Sequence, residues 1–71
     1  MQNSYFYVIY DLYDDVKFLC NNDIEFISLT KLRIKDTNYK FKKNYRYGKK
    51  YISVVIDDKF YKVYRYLKDE I

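Results

Sequence analysis

Residues 51–67 read Tyr51-Ile52-Ser53-Val54-Val55-Ile56-Asp57-Asp58-Lys59-Phe60-Tyr61-Lys62-Val63-Tyr64-Arg65-Tyr66-Leu67. Tyr51–Ile56 and Phe60–Leu67 are runs of β-branched and aromatic residues, which suit a pleated, half-buried surface. Between them stands Asp57-Asp58, a pair able to enter the left-handed backbone that a two-residue hairpin loop requires. Such a loop sets Ile56 opposite Lys59, Val54 opposite Tyr61 and Ile52 opposite Val63. That face is apolar enough to be core. The other face carries Tyr51, Val55, Phe60, Lys62, Tyr64 and Tyr66.

A second hairpin is legible at the other end of the chain. From Tyr5 to Leu12 both faces are apolar, with Phe6, Val8, Tyr10 and Leu12 on one and Tyr5, Tyr7 and Ile9 on the other. This is the pattern of a central strand. Asp14-Asp15 makes a turn, after which Val16, Phe18 and Cys20 alternate with Lys17, Leu19 and Asn21 as the partner strand.

The middle of the chain predicts two helices. Asn22 can cap the first, with Glu25 three residues on reaching back, and Ile24, Phe26, Ile27, Leu29 and Leu32 carry it over residues 23–33. In the second, over 37–46, Asp36 is the N-cap and Gly48 stands where a helix-ending glycine belongs. At 100° per residue Thr37, Phe41 and Tyr45 share one arc, while Tyr39, Lys42, Lys43 and Arg46 fall opposite. A period of two also fits Ile24, Phe26, Leu32 and Ile34, and again Tyr39, Phe41, Tyr45 and Tyr47. A strand reading of 23–47, giving a small all-β barrel, therefore stays open. The expected fold is α+β, one domain over residues 1–71, in the order ββααββ.

Seventy-one residues form one core, and a core of this size rarely supplies more than roughly 3–5 kcal/mol without help. One cysteine, Cys20, cannot form an internal disulfide, and the absence of histidine removes the ordinary zinc sites. Self-association, through a tyrosine-rich sheet face, is the remaining candidate. Neither a secretory leader nor a membrane-spanning run is visible in the stretch Met1–Asp15 or beyond. With a free thiol this points to the cytoplasm. Cys20 shares a face with Val16 and Phe18 and reads as a buried, inert thiol.

Catalytic chemistry finds little to work with. Histidine, the commonest acid–base catalyst, is missing. Ser4, Ser28, Ser53 and Cys20 therefore have no imidazole to activate them. The carboxylate pairs Asp14-Asp15 and Asp57-Asp58 each interrupt two strand-like runs and read as turns rather than magnesium ligands. A single glycine cannot build a phosphate-cradling loop. The expectation is a protein that is not an enzyme and carries no cofactor and no metal.

Charge points instead to binding. Residues 1–30 sum to −4, residues 51–71 balance, and residues 31–50 hold nine cations against Asp36 alone, a sum of +8. A block of like charge inside a folded domain repels itself, and an anionic partner is the usual reason to keep it. Within it, Asn38–Lys50 interleaves cations with aromatics, cations to neutralise phosphates and tyrosines to stack on bases. The candidate contact residues for nucleic acid or a partner are Tyr39, Lys40, Lys42, Lys43, Arg46, Tyr47, Lys49 and Lys50. The competing reading, a Lys-rich face kept for solubility, assigns them no partner.

Two short helices joined through Leu32-Arg33-Ile34-Lys35 resemble a helix-turn-helix whose second helix is the basic one. The match departs at Arg33, where the turn usually has glycine, and at Leu29, where a small residue usually lets the helices approach. The whole chain, from Tyr7-Val8-Ile9-Tyr10-Asp11 through Arg33-Ile34-Lys35-Asp36-Thr37-Asn38-Tyr39-Lys40-Phe41-Lys42 to Tyr61-Lys62-Val63-Tyr64-Arg65-Tyr66, resembles short phage and mobile-element accessory proteins of AT-rich Gram-positive bacteria. That resemblance implies an inhibitor of host defence such as an anti-CRISPR protein, acting in the host cytoplasm on a host defence protein or nucleoprotein complex. The alternative it implies is a small DNA-binding transcriptional regulator using segment 31–50. Expected partners are thus a defence complex, DNA or RNA, and a second copy as a homodimer, with no membrane.

Overall fold

The computed structural model describes residues 5–70; Ser4 and the residues before it lie outside that range. The elements are β1 (Tyr5–Tyr10), β2 (Val16–Cys20), α1 (Asp23–Thr30), α2 (Ile34–Arg46), β3 (Tyr51–Ile56), β4 (Lys59–Leu67) and a closing 3₁₀ turn (Lys68–Glu70). The fold is α+β in the order ββααββ. Its four strands form one open antiparallel sheet ordered β2-β1-β4-β3, not a closed barrel.

The C-terminal hairpin has the register that its sequence dictates, Ile56↔Lys59, Val54↔Tyr61 and Ile52↔Val63. Asp57 (φ 50) and Asp58 (φ 65) are both left-handed. That is the backbone of a type I′ turn, whose twist matches the flanking strands. β1 is central, between β2 and β4, which is why both of its faces are apolar.

One face of the sheet carries the core and both helices. Tyr7, Ile9, Cys20, Ile52, Val54, Ile56 and Val63 point to it, and Phe26 of α1 and Phe41 of α2 are fully buried against them. Tyr7 lies at the centre, its ring stacked on Phe26 at 4.1 Å and tilted against Phe41 at 6.4 Å. Side-chain hydrogen bonds fix the helices further. Tyr7 donates to Asp23 Oδ1 at 2.5 Å, and Asn44 Nδ2 donates to the Tyr51 carbonyl at 2.7 Å.

Several expectations need correction in detail. β1 stops at Tyr10, and Leu12 lies 64% exposed in a turn. Asp11 ends the strand because its carboxylate accepts the Tyr13 and Asp15 amides at 2.8 and 3.0 Å. These bonds hold its pKa below the ordinary carboxylate value, the Asp15 amide contributing most. Val16 does not join Phe18 and Cys20 in the core. A register shift after Ile9 sets it opposite Tyr10, and it remains 52% exposed. The irregularity consumes the alternation that strict period two assumes.

The helix boundaries also shift. α1 ends at Thr30, with Lys31 left-handed at φ 64 and its amide bonded to the Ile27 carbonyl. Thr30 contributes to this stop, since its hydroxyl donates to Phe26 O at 2.8 Å and accepts the Leu32 amide at 3.3 Å. α2 begins at Ile34, so Arg33 is the N-cap residue, without a side-chain cap bond. Asp36 sits in the first turn and pairs with Arg33 at 3.1 Å instead of capping. Asn22 caps α1 as expected, accepting the Glu25 amide at 2.9 Å, but Glu25 reaches back one residue further, to the Asn21 amide at 3.2 Å.

Candidate functional site

α2 owes its orientation to a narrow apolar arc. Thr37 and Phe41 are fully buried under it, whereas Tyr45, expected on the same buried arc, lies one turn beyond the core and is 45% exposed; the Thr37 hydroxyl donates to Arg33 O at 3.0 Å, satisfying itself inside the helix. The far end is closed by Gly48, left-handed at φ +81. Its amide reaches the Tyr45 carbonyl at 3.0 Å, and the Lys49 amide returns to Asn44 O at 2.8 Å. With the apolar arc seated, the opposite arc must face solvent.

That outward arc holds the residues singled out from the sequence. Tyr39 is 66% and Tyr47 73% exposed, and Lys40, Lys42, Lys43, Arg46, Lys49 and Lys50 are exposed. The ion pairs among the described residues are Lys17–Asp11, Arg33–Asp36 and Lys62–Asp14, so none of these six cations is matched by a carboxylate. Lys43 and Arg46, in the last turn of α2, are favourably placed, because the helix dipole presents partial negative charge there.

The eight residues do not converge on one place. Tyr39, Lys42, Lys43, Arg46 and Tyr47 line a shallow cleft of about 250 Å³ on the outer face. Lys40 lies with Tyr39 and Lys43 on a second cleft that runs toward Leu32, Asn44 and Ile52. Lys49 and Lys50 belong to a third groove, shared with Tyr45, Gly48, Tyr64 and Tyr66. The first two clefts share Tyr39 and Lys43 and the third is separate, so the surface offers exposed cations and two exposed tyrosines spread over open clefts.

The resemblance to a helix-turn-helix is looser in three dimensions. The connection is Lys31–Arg33, so Ile34 and Lys35 are already helical, and the left-handed residue is Lys31 rather than Arg33. Each helix packs chiefly on the sheet rather than on the other helix.

Outside the predicted set stands the sheet face that bears no helix. Phe6 stacks on Tyr66 at 5.2 Å, Tyr10 meets Tyr64 edge-on at 5.4 Å, and Tyr51 lies against Tyr64 at 5.6 Å. Burial raises the Tyr66 hydroxyl above its ordinary pKa, with Tyr10, Tyr64 and Tyr45 adding to the effect. Alternation in both hairpins marks these residues as one face. Only the pairing of β1 with β4 brings the two hairpins' aromatics together.

No family model matches the chain, and no curated protein or solved structure is significantly similar to it. No helix among the described residues is long and apolar enough to cross a membrane.

Proposed function

We propose that this chain is a non-catalytic accessory protein, of the phage and mobile-element type, that inhibits a host nucleic-acid-targeting defence complex by surface binding in the manner of an anti-CRISPR protein. The observation that supports the reading is the band of exposed, carboxylate-free cations on the outer arc of α2 and the loop after it. Its place of action is the cytoplasm of the host bacterium. The band engages phosphates of a guide or target strand held in the complex, releasing their counterions, and the folded domain then blocks the path of that strand. No bond is made or broken in this mechanism, which asks only for a rigid helix carrying fixed charge.

A transcriptional regulator is the weaker reading. A recognition helix contacts base edges with residues near its N-terminus, whereas here Lys40, Lys42, Lys43 and Arg46 lie from mid-helix onward and the first turn holds Lys35 beside Asp36. The test is titration of a host defence nuclease with the purified protein. Inhibition at near-stoichiometric amounts, weakened by Lys42→Ala/Lys43→Ala/Arg46→Ala, is expected. Tight, sequence-selective binding to a duplex by the isolated protein, with no inhibition, would replace the inhibitor by the regulator.

A further inference from the structure

We infer that the groove at the uncovered edge of β4, where the helix-free face of the sheet meets the end of α2, is a second binding surface, and that its ligand is single-stranded nucleic acid, with bases on Tyr64 and Tyr66 and phosphates on Lys49 and Lys50. The inference does not depend on inhibition of a defence complex; it shares Lys49 and Lys50 with the cationic band but not the cleft of Tyr39, Lys42, Lys43, Arg46 and Tyr47.

Three observations converge on it. The first is the groove. Tyr45, Gly48, Lys49, Lys50, Tyr64 and Tyr66 line a depression of about 580 Å³, within the range of roughly 300–1,000 Å³ usual for ligand sites. It exists because β4 outruns β3. Tyr51↔Tyr64 is the last pair between them, so Arg65, Tyr66 and Leu67 have β1 on one side and no β3 residue on the other.

The second is the disposition of the rings. Phe6 supports the Tyr66 ring from within the sheet at 5.2 Å, yet Tyr66 remains 38% exposed beside the groove. A ring held by packing costs little entropy to present, and every base has a π face to lay on it, so such stacking tolerates any sequence.

The third is charge. The helix-free face of the strands carries Lys62 and no carboxylate, whereas Arg65, opposite Tyr7, and Lys59, opposite Ile56, belong to the helix side. Lys62 is paired with Asp14 at the far end of the strands from Tyr66. Lys49 and Lys50, at the groove itself, are exposed and outside every ion pair among the described residues. A flexible polyanion meets them with phosphate. A duplex is excluded from the stacking role because its bases are already stacked on one another.

The experiment is fluorescence anisotropy with a labelled oligodeoxythymidylate of about 12 nucleotides, inside the site size usual for single-strand binders, beside a duplex of equal length. The expected result is tighter binding of the single strand. Tyr66→Ala should weaken it roughly 5- to 100-fold while Tyr66→Phe retains it. Lys49→Gln/Lys50→Gln should reduce the slope of log affinity against log salt by about 1.4. Equal binding of strand and duplex would overturn the inference, as would strand binding indifferent to Tyr66→Ala. So would a dimer, seen by sedimentation, that Tyr66→Ala dissociates, since the occupant would then be a second copy. Native circular dichroism of Tyr66→Ala separates lost stacking from lost folding. Failure here leaves inhibition by the α2 surface untouched, and failure of inhibition leaves strand binding standing.

Discussion

Tyr7, in the middle of the central strand, donates its hydroxyl to Asp23 Oδ1 at 2.5 Å, joining the core of the sheet to the first residue of α1. Its ring is fully buried and stacked on Phe26. One side chain therefore supplies both the apolar floor and the polar latch for α1. Arg65 does something comparable for α2. Its guanidinium lies over the Phe41 ring at 4.4 Å and the Tyr5 ring at 4.0 Å, and it donates to the Asn38 side chain.

Tyr7→Phe keeps the stack and removes the latch. A hydrogen bond to a charged acceptor contributes about 1.5–3 kcal/mol, and Asp23 is partly solvated, so a loss near the lower end is expected. For a domain of this size that lowers the melting temperature by roughly 6–12 °C. Thermal unfolding followed by circular dichroism measures it.

The same hydroxyl gives a pH signature. Burial, then the bond and charge of Asp23, raise the Tyr7 pKa well above its ordinary value of 10.0. A raised folded-state pKa means that the unfolded chain ionises first as pH rises. Tyr7's contribution is therefore complete below about pH 10 and is lost progressively above it. Stability of the native protein should fall more steeply beyond pH 10 than that of Tyr7→Phe. Parallel alkaline profiles would contradict the assignment.

Cys20 should be silent to thiol reagents until the chain unfolds. It is buried, and burial, followed by the Glu25 carboxylate, raises its pKa, so little thiolate is available. Cys20→Ser places a hydroxyl in that apolar site at a cost of about 1–3 kcal/mol without altering inhibition or strand binding. Rapid labelling of the native protein would refute the packing of β2 on the core.

The Asp57-Asp58 turn invites a stabilising change. Both residues are held at positive φ, which costs side-chain-bearing residues conformational energy that glycine avoids. Asp57→Asn with Asp58→Gly supplies the preferred type I′ pair and should raise stability by about 1 kcal/mol, the left-handed strain relieved at position 58 outweighing the extra unfolded-state entropy of glycine. A lower denaturation midpoint would show that the turn is not type I′ in solution.

The outer arc of α2 makes an electrostatic prediction about free DNA. If about five phosphates were neutralised, affinity would fall by more than a hundredfold between 50 and 200 mM salt, at a slope of about −0.9 per contact. For duplex DNA the inhibitor reading expects weak binding at physiological salt. Whatever slope is measured should flatten in Lys42→Ala/Lys43→Ala/Arg46→Ala.

The sequence by itself determined the local elements. The two hairpins, the register around Asp57-Asp58, the Asn22 cap, the buried arc of Thr37 and Phe41 and the exposed arc of Tyr39, Lys42, Lys43 and Arg46 all follow from alternation, helical period and turn chemistry. Those signals act over a few residues and are written in neighbouring side chains. Where two local signals competed, only packing could choose. Asp36 looked like an N-cap, but α2 starts three residues earlier than that cap implies, at Ile34 with Arg33 as its N-cap residue, and Val16 left the core because the β1–β2 register shifts at Tyr10. The tertiary structure alone decided that β1 lies between β2 and β4. That pairing joins residues more than fifty positions apart, such as Phe6 and Tyr66, and no local pattern records it. The aromatic face exists through that long-range pairing, because rings from separate hairpins become one surface only when the strands that carry them share hydrogen bonds.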